Sequence, residues 1–246
     1  MEAIVLAGGL GTRLKDIICD IPKPMAPVRR IPFLKYLLDY LENEKIRKVI
    51  MSVGYKSEKI QDYFDYNHFQ LDLKYSKENR PLGTGGAIRQ ALLLCRDEQV
   101  FILNGDSFFD VPLERLLEKH ITHRADLSIA LKPMKYFERY GNVLIDGSRV
   151  KGFHEKQKVN FGLINGGIYV VDREKLLNME LPVKFSFEID YIEKYVETLY
   201  FAGFPFDNYF IDIGIPEDYI RAQKEIPKYI NGKGNKYHEQ SSFFRS

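Results

Sequence analysis

The 246-residue sequence lacks the patterns on which several common protein classes depend. Its 2 cysteines, Cys19 and Cys95, cannot build a disulfide framework or a cysteine-based metal site. The net charge of +2 gives no reason to expect nucleic acid or a membrane surface as the main partner. No apolar run approaches the ~18 residues typical of a membrane span, and no charged-then-apolar leader precedes Ala3. We therefore expect a cytoplasmic protein.

Several catalytic signatures are also missing. No Gly-x-Ser-x-Gly elbow is present to anchor a hydrolase triad. Of the 5 histidines, only His120 and His123 approach metal-ligand spacing, and we predict that both lie on a surface helix. A Walker loop would end in Gly-Lys-Ser/Thr, and a dinucleotide fingerprint would carry a third glycine that is absent here. If phosphate is bound, a third kind of loop binds it.

The order of apolar segments predicts an α/β fold in one large domain. The first half alternates short strands with amphipathic helices, which indicates a parallel sheet with helices on both faces. The second half is richer in strands and ends in a helix that starts within Asp212-Ile213-Gly214-Ile215-Pro216-Glu217 and runs to about Ile226. We place the domain at 1–230 and expect the polar residues 231–246 to form a disordered tail.

The most distinctive segment is Gly8-Gly9-Leu10-Gly11-Thr12-Arg13, which follows the apolar run Ala3–Leu6. Glycines let a backbone bend and turn its N–H groups toward an anion, and Arg13 can add a bidentate phosphate contact. Pro22-Lys23-Pro24 offers a second cation on a stiff segment. These two segments predict a binding site for a nucleoside triphosphate, although an ordinary strand-to-loop turn would contain the same glycines.

Two acidic residues follow apolar strands. Asp106 closes the segment Asn104-Gly105-Asp106, and Asp212 follows an apolar, aromatic run. Ligands of α/β sheets lie beyond the carboxyl ends of the strands, and Mg²⁺ prefers one or two carboxylates together with phosphate oxygens. We favour a metal role over helix capping for Asp106. For Asp212, the roles of metal ligand and turn residue both remain open.

Three further segments have both a functional and a structural interpretation. Gly83-Thr84-Gly85-Gly86 can let a flat base lie against the backbone, or can form a turn before a helix at Ala87–Cys95. Glu155-Lys156 can bind sugar hydroxyls and a phosphate, but such pairs are common. Asn165-Gly166-Gly167 is a turn, or at best a hydroxyl-binding loop.

In their order along residues 1–228, these motifs resemble the sugar-1-phosphate nucleotidyltransferase family, and most resemble its bacterial heptose-1-phosphate guanylyltransferases. The resemblance implies a Rossmann-like three-layer α/β/α fold with a mainly parallel central sheet and a small β-rich part. It also implies a nucleotide-binding half at about 1–110 and a sugar-binding half at about 111–230. The implied reaction joins an NTP, with GTP favoured, to a sugar 1-phosphate and releases pyrophosphate, with Mg²⁺ as cofactor. A homodimer is compatible with this family.

The resemblance also assigns roles to residues. The catalytic residues would be Arg13, Lys23, Asp106 and Lys156. The nucleotide would be bound by Leu6, Ala7, Gly8, Gly9, Gly11, Thr12, Arg13, Gly83, Thr84, Gly85 and Gly105. The sugar phosphate would be bound by Glu155, Lys156, Asn165 and Gly166, and Mg²⁺ by Asp106 and Asp212.

Three alternatives remain. The same chemistry can use CTP, UTP, dTTP or ATP, and mannose or glucose 1-phosphate. The chain could be a noncatalytic subunit that binds an NDP-sugar. Such a subunit could lose its metal ligands, so the presence of Asp106 and Asp212 argues against this alternative. A dehydrogenase domain is disfavoured by the missing fingerprint glycine.

Overall fold

A nine-stranded sheet forms the centre of the protein in the computed structural model, which describes residues 1–9, 21–66, 70–154 and 157–232. The strands are β1 (Glu2–Leu6), β2 (Pro27–Val28), β3 (Ile31–Pro32), β4 (Lys48–Val53), β5 (Asp72–Lys77), β6 (Gln99–Asn104), β7 (Ser107–Phe109), β8 (Leu127–Phe137), β9 (Asn142–Asp146), β10 (Arg149–His154), β11 (Val159–Asp172), β12 (Phe201–Pro205) and β13 (Phe210–Asp212). The helices are α1 (Phe33–Asn43), α2 (Ser57–Tyr66), α3 (Gly83–Leu92), α4 (Leu113–His123), α5 (Arg173–Asn178) and α6 (Pro216–Gly232), with a 3-10 helix at Lys23–Met25 and a π-helical segment at Phe187–Glu193.

The strands of the central sheet follow the order β5-β4-β1-β6-β11-β8-β12-β10-β9. The first four of these run parallel, whereas β11 pairs antiparallel with both β6 and β8. Beyond them β12 is parallel to β8, and β10 is antiparallel to β12 and to β9. The α/β class is confirmed, and the sheet is mixed where a mainly parallel one was predicted.

Alternating side chains of β1 separate two hydrophobic cores. Ala3 and Val5 pack with α1, α4 and α6 on one face, while Ile4 packs with α3 and α5 on the other. A strand buried on both faces reads as a continuous apolar run, which is why Ala3–Leu6 lacks a polar residue. Helices therefore cover both faces, as the three-layer prediction requires. None of the described helices has the length and apolar character needed to cross a membrane.

Two predicted helix boundaries are wrong. Helix α3 begins at Gly83, so the glycine cluster forms its first turn and does not precede it. Helix α6 continues to Gly232, past the predicted start of the tail at Asn231, and residues 233–246 lie outside the described residues.

Two other local predictions are also corrected. Asn165-Gly166-Gly167 is not a turn but part of β11, where the register with β8 shifts between Asn165 and Tyr169 and Gly167 takes a φ of +74°. His120 does not face solvent, because the ring is 2% exposed. It lies 2.8 Å from both Ser128 Oγ and Gln99 Oε1. Burial lowers the pKa of His120 to about 4.

Candidate active site

Three parallel strands end at the same edge of the sheet and bring their following loops together. Leu6 at the end of β1 lies between Ser52 of β4 and Asn104 of β6 in register. The next residues stay in contact, because Gly105 N–H donates to the Leu6 carbonyl at 3.0 Å and Ala7 N–H donates to the Ser52 carbonyl at 2.8 Å. A Cβ on Gly105 would lie 2.5 Å from the Leu6 carbonyl oxygen, so the loops can approach this closely only with glycine at that position.

A cavity of about 630 Å³ opens at this edge. The predicted residues that line it are Leu6, Gly8, Gly9, Lys23, Gly83, Thr84 and Asp106. Ala7, Gly85 and Gly105 are buried close to it and do not line it. Gly11, Thr12, Arg13, Glu155 and Lys156 lie outside the described residues, so their roles stay predictions.

Lys23 and Asp106 line the cavity, whereas Asp212 lies near them but is not part of the lining. The 3-10 helix places the Lys23 ammonium nitrogen 2.5 Å from Asp106 Oδ2. Strand β13 pairs with β7 so that Asp212 lies opposite Ser107, and Ile213 N–H donates to the Asp106 carbonyl at 2.9 Å. The three side chains thus come from segments far apart in sequence and form one charged cluster.

The two carboxylates offer the hard oxygen ligands that suit a divalent metal ion. Asp212 Oδ1 accepts a hydrogen bond of 2.7 Å from Gly214 N–H, which orients the carboxylate. Hard oxygen ligands are what Mg²⁺ prefers, and it commonly takes one or two carboxylates plus substrate phosphates and water. In the described part of the chain, no group of three or more His, Cys, Asp or Glu side chains could hold a metal alone. Asp106 and Asp212 would therefore hold the ion together with the substrate.

The glycines at the start of α3 serve close packing against the second half of the chain. A Cβ on Gly85 would lie 2.1 Å from the Phe185 ring, and one on Gly86 would lie 2.4 Å from the Val183 carbonyl oxygen. Thr84 Oγ1 accepts from Phe187 N–H and donates to Glu188 Oε2, both at 2.8 Å. The sequence suggested that these glycines let a flat base lie against the backbone. The structure shows that they also leave room for Phe185 and Val183.

Asn165 and Gly166 lie away from the lining of the cavity. Asn165 Nδ2 donates to the Tyr169 hydroxyl at 2.8 Å, and Gly166 packs against the Phe109 ring. Gly167 lies beside Asn104, which does line the cavity. The contact of Asn165 and Gly166 with a sugar phosphate stays a prediction.

Sequence reasoning missed several residues of the cavity. The unpredicted lining residues that carry polar or aromatic side chains include Ser52, Tyr55, Glu78, Asn104 and Glu188. Glu78 follows β5, the fourth parallel strand, and its position at that carboxyl end is a signal the sequence contained. Its Oε2 accepts from Leu82 N–H at 2.9 Å. Ser52 Oγ is buried and has no hydrogen-bond partner among the described residues.

Tyr140 is a further residue that the sequence did not indicate. Its hydroxyl donates to Asp212 Oδ2, and the Arg139 guanidinium lies 3.2 Å from the same hydroxyl. Arg139 in turn pairs with Asp218, which is buried and also pairs with Arg221 at 2.9 Å. Burial and the Asp212 charge raise the pKa of Tyr140, so the phenol remains protonated and can donate.

Comparison with known proteins matches a family model over nearly the full chain. The model described as nucleotidyl transferase matches residues 2–229. The chain is 50% identical to D-glycero-alpha-D-manno-heptose 1-phosphate guanylyltransferase of Aneurinibacillus thermoaerophilus, over 94% of this chain and 100% of that protein. It is 46% identical to the protein of that name from Campylobacter jejuni, over 89% of this chain and 97% of the relative.

A solved structure shares the fold. The crystal structure of HddC from Yersinia pseudotuberculosis has a TM-score of 0.84 and 36% identity, and it covers 92% of this chain and 99% of its own. HddC has also been solved in complex with GMP-PN. The two sequence relatives and HddC each match this chain over most of its length.

Proposed function

This chain belongs to the nucleotidyl transferase family, and we propose that it transfers GMP from GTP to D-glycero-α-D-manno-heptose 1-phosphate, releasing pyrophosphate. It is an enzyme, a sugar-1-phosphate nucleotidyltransferase. The observation that carries the proposal is the cavity on which Gly8-Gly9, Lys23 and Asp106 converge at the ends of three parallel strands. The heptose and guanine assignments follow the relatives that match this chain over nearly their whole length.

The reaction needs no catalytic base. The second pKa of a phosphate monoester lies near ~6, so the attacking oxygen of the sugar phosphate is already anionic at neutral pH. That oxygen forms a bond to the α-phosphorus of GTP, and the bond from this phosphorus to the bridging oxygen of the β-phosphate breaks. The released pyrophosphate takes the electron pair. The task of the protein is to bring two anions together, which requires positioning and neutralisation of charge.

Described residues of the cavity can supply part of this charge. Lys23 pairs with Asp106 at 2.5 Å, and its ammonium group can turn from Asp106 to a phosphate oxygen. Asp106 and Asp212 would hold Mg²⁺, which when bound neutralises phosphate charge. The predicted roles of Arg13 and Lys156 add cations on the leaving and attacking sides.

The cavity also supports guanine as the base. Glu78 Oε2 is held by Leu82 N–H, and the described residues provide no hydrogen-bond donor to Oε1. Guanine presents two adjacent donors, N1–H and the 2-amino group, which one carboxylate can accept together, and adenine and cytosine have no such pair. Tyr55, 43% exposed at the cavity, can cover the base with its ring. GTP therefore suits this site better than the other triphosphates.

The proposal includes the setting of the reaction. We infer a cytoplasmic enzyme, because its substrates are intracellular metabolites. The NDP-sugar product is an activated glycosyl donor, so a glycosyltransferase or a sugar-modifying enzyme must consume it. Synthesis of precursors for surface glycans is the corresponding role, and a homodimer stays a prediction.

A pyrophosphate-release assay tests the proposal. The five triphosphates GTP, ATP, CTP, UTP and dTTP are each paired with heptose, mannose and glucose 1-phosphate. The expected outcome is turnover with GTP and the heptose phosphate, at a kcat/KM above that of every other pair. Binding of nucleotide without turnover for any pair would instead support the noncatalytic alternative.

A further inference from the structure

Tyr140 lies on the short segment between β8 and β9, outside the cavity lining, yet its hydroxyl reaches a carboxylate that the proposed function places on the metal. Within the described ranges, each oxygen of Asp212 accepts from one donor. Gly214 N–H donates to Oδ1 at 2.7 Å, and Tyr140 donates to Oδ2. A carboxylate has about four lone-pair sites, so each oxygen keeps one for a cation. The two donors fix the plane and rotation of the carboxylate without consuming its ability to bind a metal.

The Tyr140 ring is itself held on two sides. It packs edge-on against Phe210, two residues before Asp212 on β13, with ring centroids 6.2 Å apart. The Arg139 guanidinium carbon lies 5.1 Å from the centre of the Tyr140 ring. Phe210 in turn packs edge-on against Phe109 of β7 at 5.5 Å. The ring therefore packs against the strand pair β7–β13, in which β7 begins directly after Asp106 and β13 ends at Asp212.

Arg139 connects this ring to a buried anion. Asp218, in the first turn of α6, is 5% exposed, and its two oxygens pair with Arg139 and Arg221. Because the buried carboxylate needs these cations, Arg139 is not free to swing away from Tyr140. Its guanidinium also donates to the Tyr140 oxygen at 3.2 Å, which polarises the phenol toward Asp212.

The same segment adjoins the strand that leads to the predicted sugar-phosphate residues. A Cβ on Gly141 would lie 3.1 Å from the carbonyl oxygen of His154, the last residue of β10. Glu155 and Lys156 follow directly in the sequence. Tyr140 thus contacts the proposed metal ligand Asp212, and its neighbour Gly141 lies against the end of β10, after which the predicted sugar-phosphate residues follow in the sequence.

We propose that Tyr140 is a positioning residue that holds the Asp212 carboxylate in the orientation needed to bind the metal, and that Arg139, fixed by Asp218, holds Tyr140. The inference rests on the proposed function. Hydrogen-bonding partners of metal ligands typically change metal affinity by about 10–100-fold when they are removed. Tyr140→Phe removes the donor and keeps the ring, so it isolates the hydroxyl.

The test measures nucleotide binding rather than turnover. Isothermal titration calorimetry with a non-hydrolysable GTP analogue is run with excess Mg²⁺ and again with EDTA, and the ratio of the two affinities is the metal enhancement. Wild-type protein should show a clear enhancement. Tyr140→Phe should lose about tenfold of it while its affinity in EDTA is unchanged. Arg139→Gln should shift the enhancement in the same direction by less.

Tyr136→Phe is the matched control, because Tyr136 precedes Tyr140 closely in the sequence, at the end of β8, but is 85% exposed. It should keep the wild-type enhancement. A full enhancement in Tyr140→Phe would overturn the proposal, and so would an equal loss of affinity in EDTA and Mg²⁺, which would indicate a general change in cavity shape. An unchanged Arg139→Gln would remove Arg139 from the proposal. Wild-type protein that binds no nucleotide under either condition would instead count against the proposed function.

Discussion

The Lys23 ammonium nitrogen lies 2.5 Å from Asp106 Oδ2, within a cluster that also includes Asp212. A Cβ on Gly214 would lie 3.7 Å from that nitrogen and 2.7 Å from Asp212 Oδ1, so the Lys23 ammonium group and the Asp212 carboxylate both border Gly214. One positive charge of the protein thus occupies the region where the donor set suits a divalent cation. We expect Mg²⁺ to replace the Lys23 ammonium group at Asp106 when the substrates bind, and Lys23 to contact the phosphates.

Replacing Asp106 tests this arrangement. Asp106→Asn keeps the shape and removes the charge, so turnover should fall by more than about a hundredfold because a metal ligand is lost. The melting temperature should change little, since the Asp106 side chain is 36% exposed. Asp207→Asn, which breaks a comparable pair with Lys132 at the surface, should retain near-normal kcat/KM. Near-normal rates in Asp106→Asn would refute its metal role.

Glu78 should decide the choice of base. Glu78→Gln keeps an acceptor for Leu82 N–H but presents an amide to the guanine donors, so kcat/KM for GTP should fall by about 10–100-fold, equivalent to ~1–3 kcal/mol. Inosine triphosphate, which lacks the 2-amino group, is the discriminating substrate. The wild-type enzyme should prefer GTP over it, and the variant should not. A variant that keeps the full preference would exclude Glu78 as the base reader.

Gly85 should be intolerant of a methyl group for reasons of packing. The new Cβ would lie 2.1 Å from a Phe185 ring atom, and overpacking of this kind costs about 1–3 kcal/mol of unfolding free energy. Chemical denaturation of Gly85→Ala measures the loss. Gly232→Ala is the control, since no atom of the part of the chain that the structure describes lies within 4 Å of a Cβ there. Combining Gly85→Ala with Phe185→Ala should cost less than the sum of the two changes; strict additivity would argue against the contact.

His120 should make stability depend on pH below neutrality. The unfolded ring takes a proton near its ordinary pKa of 6.5, whereas the buried ring in the fold resists protonation until about pH 4. Between these values the unfolded state binds more protons, so the unfolding free energy falls as the pH is lowered. Between pH 6.5 and pH 4, this difference in proton binding lowers the unfolding free energy by about 3 kcal/mol.

Urea denaturation at a series of pH values from 7.5 to 4.5 measures this slope. In His120→Gln the slope over the same range should be shallower, since the group that titrates has been removed. His123→Gln changes an exposed ring of the same helix and should leave the slope as in wild type. Parallel pH profiles for wild type and His120→Gln would rule out this origin.

The sequence predicted the parts of the site that lie in short motifs. Lys23 and Asp106 could be found because each follows an apolar or stiff segment that sets its place at the sheet edge. Glu188 could not, because it reaches Thr84 across 104 positions through a π-helical segment without a distinctive pattern. Tyr140 was missed for a similar reason, since its partner Asp212 is 72 positions away and the pair depends on how β13 docks beside β7.

The fold was predicted best where burial leaves a clear pattern of apolar residues. Strand β1 is buried on both faces, so it stands in the sequence as the continuous apolar run Ala3–Leu6. The first turn of α3 was missed because glycine weakens helix propensity by about 1 kcal/mol relative to alanine. Packing against Phe185 and Val183 overrides that preference, and no local pattern contains this information.

Strand β11 lies between β6 and β8, and the segment around Phe185 packs against the glycines Gly83, Gly85 and Gly86 of α3. A fragment ending near residue 110 would therefore expose the unpaired edge of β6 and an open groove along α3, a combination that favours aggregation. Two fragments divided at that point could still recognise each other through these same surfaces. The predicted boundary near residue 110 is thus a place to split the enzyme into complementing pieces, with recovered activity reporting their association.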